Sequence, residues 1–317
     1  MKSQFRIRPR AGWRHTQSRR TGWSCAPSYV AVFALLIVRP VCATEGGGSV
    51  YPYGLNTVAS GVLPKPGPYL YSYNSFYTAD VTTTNDGQPA PIPFEVDVRV
   101  HTLRYLQVLE SARLWGGAVG WLVAQPYLIG DANVGPREDY RTGVGDTTVG
   151  LMLGWHRPQL HSMTGVDVTL PTGSYSTKHL FNPGRNQYAA TFYYAVTAPL
   201  GESLDTNLRV NLTVNGTNPD TDYHSGLEAG VEYSLNLRLA QGWLAGINGY
   251  LYQQVTNDEI DGDPVGGDGR KLRVLAYGPQ LVYRGGRWGA VAKWQHEDPT
   301  RNKAEGDKYW LQLFFAL

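Results

Sequence analysis

Cysteine is nearly missing from this chain: of 317 residues only Cys25 and Cys42 carry a thiol, and both fall in the first 43. A chain cut after Ala43 would have neither a disulfide nor a thiolate to work with. Cys42 makes a poor lipid-attachment site, because Arg39-Pro40-Val41 before it lacks small residues. Long apolar runs are missing as well. No stretch of about 18 apolar residues exists, which excludes a helical membrane span, and the mean hydropathy is mildly negative. The longest apolar run, Tyr29 to Val38 ("YVAVFALLIV"), follows a basic leader and precedes Val41-Cys42-Ala43, where small residues mark a signal peptidase site. Residues 1–43 are therefore expected to be a cleaved secretory signal. The leader is long and contains Arg19-Arg20, as twin-arginine signals do, although a start site further along explains the extra length equally well. Cleavage removes eight of the 28 basic residues and none of the 26 acidic ones, so the mature chain carries 20 against 26. An acidic mature chain has no electrostatic basis for binding nucleic acid.

What the chain has in abundance is alternation. In the closing stretch "KYWLQLFFAL", Tyr309, Leu311, Leu313, Phe315 and Leu317 form one apolar row, while Lys308, Trp310, Gln312, Phe314 and Ala316 form a mixed one. That period of two is a strand, with one side suited to lipid and the other to a partly wet interior. From about residue 66 onward there are twelve such segments, starting near Tyr69, Phe94, Leu114, Thr142, Gln159, Gln187, Asp205, Gly226, Gln241, Arg270, Arg287 and Lys308. Five connections look tight ("LESARL", "HRPQL", "PLGESLD", "RLAQG", "YRGGRW") and six look long, polar and Gly-rich. Alternating short and long connections predict an all-β fold, an up-and-down antiparallel transmembrane barrel of about twelve strands with short periplasmic turns and long extracellular loops. In such a barrel the last strand closes on the first, and its apolar face is what a barrel-assembly machinery would engage.

Two strands illustrate the expected faces. Trp288, Ala290, Ala292 and Trp294 alternate with Gly289, Val291, Lys293 and Gln295, and Phe94, Val96, Val98 and Val100 alternate with Glu95, Asp97, Arg99 and His101. With lipid assigned to the apolar row, the expected lumen-lining residues are Glu95, Asp97, Arg99, His101, Lys293 and Gln295. Asn248, Tyr250, Tyr252 and Gln254 join them from "WLAGINGYLYQQ". Tyrosine there offers an apolar body with a polar edge, suited to aromatic solutes, but it is also an ordinary strand residue.

No catalytic residue, metal ligand or cofactor is expected. Glu95 and Asp97 share a face about 7 Å apart, but Arg99 and His101 continue the row, so no acid is singled out. His224 and Ser225 are adjacent in a strand and point to opposite faces, which separates a nucleophile from its base. His156, His161, His179 and His296 lack metal-ligand spacing. The acidic loop "NDEIDGDPVGGDG", Asn257 to Gly269, only loosely matches a calcium loop, since its first ligand is Asn and strands flank it. A solvated loop explains it better than a divalent site bridging to lipid phosphates.

Several stretches, in order, resemble the outer-membrane family named for the meta-pathway of phenol degradation: Glu45 to Gly54 ("EGGGSVYPYG"), "LPKPGPYLYSYNSFY", "GVGDTTVGLMLGW", "LPTGSY" with Gly184-Arg185-Asn186, "NPDTDYHSG", "GINGYLYQQVTNDE" and "AYGPQLVY". That resemblance implies a barrel in the outer membrane of a Gram-negative bacterium, in contact with the lipid bilayer and lipopolysaccharide. It also implies uptake of small hydrophobic or aromatic compounds, without chemistry. Two alternatives are a structural or adhesion barrel without an open lumen and an outer-membrane lipid hydrolase. Residues 44–65, rich in Gly and Pro, are expected to form a periplasmic or plug segment in front of the barrel, residues 66–317.

Overall fold

The computed structural model describes Glu45 and residues 47–317, so the expected signal segment, with Cys25, Cys42 and Arg19-Arg20, lies outside the described residues. Twelve strands form the wall: β1 Gly67–Thr82, β2 Phe94–Leu114, β3 Gly117–Val134, β4 in two pieces, Arg137–Val144 and Thr147–Arg157, β5 Leu160–Leu170, β6 Ala189–Leu200, β7 Leu204–Asn215, β8 Glu228–Ala240, β9 Trp243–Gln254, β10 Arg273–Arg284, β11 Trp288–Arg301 and β12 Ala304–Ala316. Each pairs antiparallel with its neighbours in the chain, and β12 closes on β1 from Tyr69↔Ala316 to Thr82↔Ala304. Closure leaves no strand edge, so the ladder amides of the wall find partners without water, the condition for a sheet to cross lipid.

The faces follow from what each meets. On β7, Leu208, Val210, Leu212 and Val214 are 41–48% exposed on the outside. Arg209, Asn211 and Thr213, between them, are buried inside. Leu235 and Leu237 on β8, Ile247 and Leu251 on β9, and Leu311 and Phe315 on β12 continue the outer apolar band. Such a belt is about 25 Å tall and takes roughly ten residues of a tilted strand.

The connections differ from the expectation at two places. Trp115-Gly116, Pro158-Gln159, Gly201–Ser203, Gln241-Gly242 and Gly285–Arg287 are short, as the alternation requires. Trp115 and Gly116 both have positive φ (50° and 77°), the mirror-image turn that matches strand twist. On the opposite side only four connections are long: residues 83–93, 171–188, 216–227 and 255–272. Gly135-Pro136 and Asn302-Lys303 are two-residue turns. The strands themselves consume the missing loop residues, since β2 runs 21 residues and β3 runs 18, far beyond what the belt needs.

Residues 47–66 pass inside this wall as a strap. Its lower end seats Leu63 in an apolar cluster with Leu106, Val108, Leu122 and Met152. Gly154 is shaped for that seat, because a Cβ there would lie 2.4 Å from the Leu63 Cβ.

Candidate functional site: an interior cavity above the strap

The strap is held by the polar rows that β7, β8 and β11 turn inward. Ser49 Oγ donates to Glu228, and Tyr51 Oη donates to Glu232. Glu232 also accepts the Asn56 N–H at 2.9 Å. Lys293 Nζ donates to the Gly54 carbonyl at 2.5 Å, the Leu55 carbonyl at 3.0 Å and Thr57 Oγ1 at 2.8 Å. Below them Ser60 N–H donates to Asn207 and Gly61 N–H to Thr197. Gly54 sits at φ 89°, a left-handed conformation that favours glycine, with the Gln295 amide packed against it. Arg209 lies 3.5 Å over the Tyr193 ring and 5.4 Å from the Tyr51 ring centroid. Its guanidinium is 3.5 Å from Asp167 and 3.7 Å from Glu232, so the buried cation has carboxylates on two sides.

Above the strap a cavity of about 520 Å³ remains open. One wall is apolar: Phe94, Val96, Val98 and Val100 from β2, with Leu128, Ala132 and Val134 from β3. Beside it Tyr77 of β1, the register partner of Val98, is followed by Lys308 and Trp310 of β12 and by Lys303 in the turn before β12; Tyr250 and Tyr252 line the cavity from β9, and Tyr51 to Tyr53 of the strap form the floor. Tyr53 packs on Tyr250 and Tyr252, with ring centroids 5.9 and 4.8 Å apart. Loop 171–188 forms a roof. Asp139 accepts the backbone N–H groups of Leu180 and Phe181 at 2.8 and 3.0 Å. Asp146, at the break in β4, accepts those of Gly173 and Arg185 at 2.8 and 2.6 Å. The Phe181 ring fills the space beside Gly130, where a Cβ would lie 2.3 Å from it. Glu45, at the upper end of the strap, accepts bonds from Tyr175 Oη (2.8 Å), Thr221 Oγ1 (2.9 Å) and Asn218 Nδ2 (2.5 Å). Burial, and then the Glu45 carboxylate, push the Tyr175 hydroxyl up to about 12.

With this geometry in view, the comparison with known families is decisive for membership: the family described as "Putative MetA-pathway of phenol degradation" matches residues 79–313. The chain belongs to this family. Among solved structures, this phenol-degradation-family barrel is similar to the COG4313 outer membrane channel from Pseudomonas putida F1, at 17% identity over 85% of this chain and 100% of that one, TM-score 0.73. The transport unit of the autotransporter AIDA-I from Escherichia coli matches at 9% identity over 80% of this chain and 91% of that one, TM-score 0.50. A KdgM porin matches at 10% identity over 78% and 99%, TM-score 0.42. No curated protein matches the chain. The likeness to the Pseudomonas putida channel shows the fold, that of an outer-membrane barrel.

The residues singled out in the sequence divide into two groups. Asn248, Tyr250, Tyr252 and Gln254 on β9, and Lys293 and Gln295 on β11, face inward and are at most 5% exposed. They pack on the strap or the cavity: Gln295 Nε2 donates to Asn248 at 2.6 Å, and Trp310 Nε1 donates to Gln295 Oε1 at 2.9 Å. Glu95, Asp97, Arg99 and His101 on β2 are a correction. They project outward, and Phe94, Val96, Val98 and Val100 take the interior. This part of β2 extends beyond the lipid belt, so its outer face meets water and headgroups while its inner face meets an apolar cavity. Arg99 lies 5.5 Å from the Phe76 ring centroid, and the His101 ring meets Asn74 at 2.9 Å.

Glu228, Glu232, Arg209, Glu297 and Lys303 went unread in the sequence, although Glu297 continues the row of Lys293 and Gln295; Lys308 was placed in the mixed row of the last strand but not singled out as a site residue. The strap and loop contacts had no local signal. In the acidic loop, Asp258 is fully buried and accepts from Tyr223 Oη (2.7 Å), the Gly226 N–H (2.8 Å) and Gln254 Nε2 (2.6 Å). Among the described residues no three His, Cys, Asp or Glu side chains converge as a metal site would require. His224 meets Thr217 at 3.4 Å, while Ser225 is buried.

Proposed function

We propose that the protein is an outer-membrane channel that takes up small hydrophobic or aromatic compounds, with the strap acting as a plug. The observation that carries this reading is the two-faced cavity. An apolar face bordered by tyrosines, in a volume within the usual range for ligand sites, suits a solute with a greasy body and a polar edge. The strap supports gating, because it crosses the interior below the cavity and most of its anchors are hydrogen bonds that can exchange for water. In this reading the signal is cleaved before insertion by the assembly machinery, and the external strand ends contact lipopolysaccharide.

A structural barrel without an open lumen is the second reading, favoured by the packing of Leu63 and Lys293 across the interior. One experiment separates them. The refolded mature protein and a variant lacking residues 47–60 are placed in planar bilayers. We expect the deletion to raise conductance several-fold and phenol to reduce the current. A deletion variant that folds yet stays silent would leave only the structural role.

A further inference from the structure

The charges around the cavity are unbalanced. Its lining includes the cationic side chains of Arg137, Arg185, Lys303 and Lys308 but a single carboxylate, Glu45. That carboxylate is already engaged by Tyr175, Asn218 and Thr221. The two lysines lie beside the tyrosines and share one partner. Lys303 Nζ is 2.5 Å from Glu297 Oε2, and Lys308 Nζ is 3.5 Å from Glu297 Oε1. Glu297 is fully buried, and Tyr77 and Tyr250 also donate to it. Among the described residues no other carboxylate lies within ion-pair distance of either ammonium. Of the two acids on β12, Asp307 faces the other way and binds Trp294 and His296, and Glu305 accepts from Thr300 Oγ1 at 3.3 Å. One carboxylate between two ammonium groups leaves an excess positive charge on this side of the cavity, a standing attraction for an anion.

From this the geometry points to small anionic amphiphiles, carboxylates on a compact apolar body, as the solutes of the cavity. The head group meets Lys303 and Lys308, and the body lies along Val96, Val98, Val100 and Leu128. The assignment rests on the cavity being a solute site and narrows the solute from hydrophobic compounds in general to anionic ones. Neutral phenols would gain the apolar wall and forgo the lysines. Amines of the same shape would meet like charge.

The test uses three probes of one shape and three charges, benzoate, benzyl alcohol and benzylammonium, titrated calorimetrically into the refolded mature protein in detergent at constant ionic strength. Benzoate is expected to bind at least about tenfold more tightly than benzyl alcohol, the increment of one charge-assisted contact, with benzylammonium weakest. Lys308→Gln and Lys303→Gln should each lower the ratio of benzoate affinity to benzyl alcohol affinity. Glu297→Gln should strengthen it. Equal affinity for benzoate and benzyl alcohol, or tighter binding of benzylammonium, would overturn the anionic assignment while leaving the cavity a solute site. Absence of heat with all three probes would overturn the solute site itself. The wild-type ligand series decides the matter even if a lysine variant fails to fold.

Discussion

Strands β7 and β2 alternate with the same period and opposite sign. On β7 Leu208, Val210, Leu212 and Val214 face out while Arg209, Asn211 and Thr213 face in. On the outer half of β2, Glu95, Asp97, Arg99 and His101 face out, and Phe94, Val96, Val98 and Val100 line the cavity. Period two dictates that there are two faces, and the medium on each side dictates which face is greasy. β7, at 12 residues, fits within the belt, whereas β2, at 21, cannot. Polarity on an outer-membrane strand thus reports height above the lipid as much as direction.

The largest effect expected from testing that contrast is on the lipid face of β7. Val210→Arg, near the middle of the strand, should cost about 2–4 kcal/mol in a reversible urea-folding titration into vesicles. A loss below about 0.5 kcal/mol would mean that this face is not in lipid. Next is the inward row of β11. Lys293→Met removes the three donors that hold Gly54, Leu55 and Thr57, with an expected loss of roughly 1.5–3 kcal/mol and a noisier, larger single-channel current as the strap loosens. Phe181→Ala should cost about 1 kcal/mol, and by opening the roof beside Gly130 it should speed benzoate association more than dissociation in stopped-flow traces. Smallest of all is Arg99→Leu. Outside the belt it should change stability by no more than about 0.5 kcal/mol and leave the ion selectivity of the current unaltered. A changed selectivity would return Arg99 to the lumen.

Legibility in the sequence followed the range of the interactions. The row Lys293, Gln295 and Glu297 is a local pattern, readable two residues at a time, and on β11 it faces inward opposite Trp294 and Ala292. The row on β2 was just as regular, yet its direction depends on where the strand stands relative to lipid, which no neighbouring residue records. Loop lengths failed for a related reason: polar, Gly-containing stretches near residues 135 and 302 continue as protruding strand wherever a neighbour supplies the ladder. The strap's partners, Glu228, Glu232, Asn207 and Thr197, lie 136 to 181 residues away along the chain. Gly54 and Gly154 are the marks left in the sequence by those contacts, and a glycine does not say what approaches it.

By itself the sequence determined that this chain makes about twelve alternating strands, closes its last on its first and belongs in a membrane, because alternation and turn chemistry act between residues near one another in the chain. Only the tertiary structure decided which side of β2 faces the interior, that residues 47–66 occupy the barrel, and that two lysines share one glutamate beside an apolar wall. Those outcomes depend on which distant segments the closed ring brings face to face, and on how far each strand rises above the lipid.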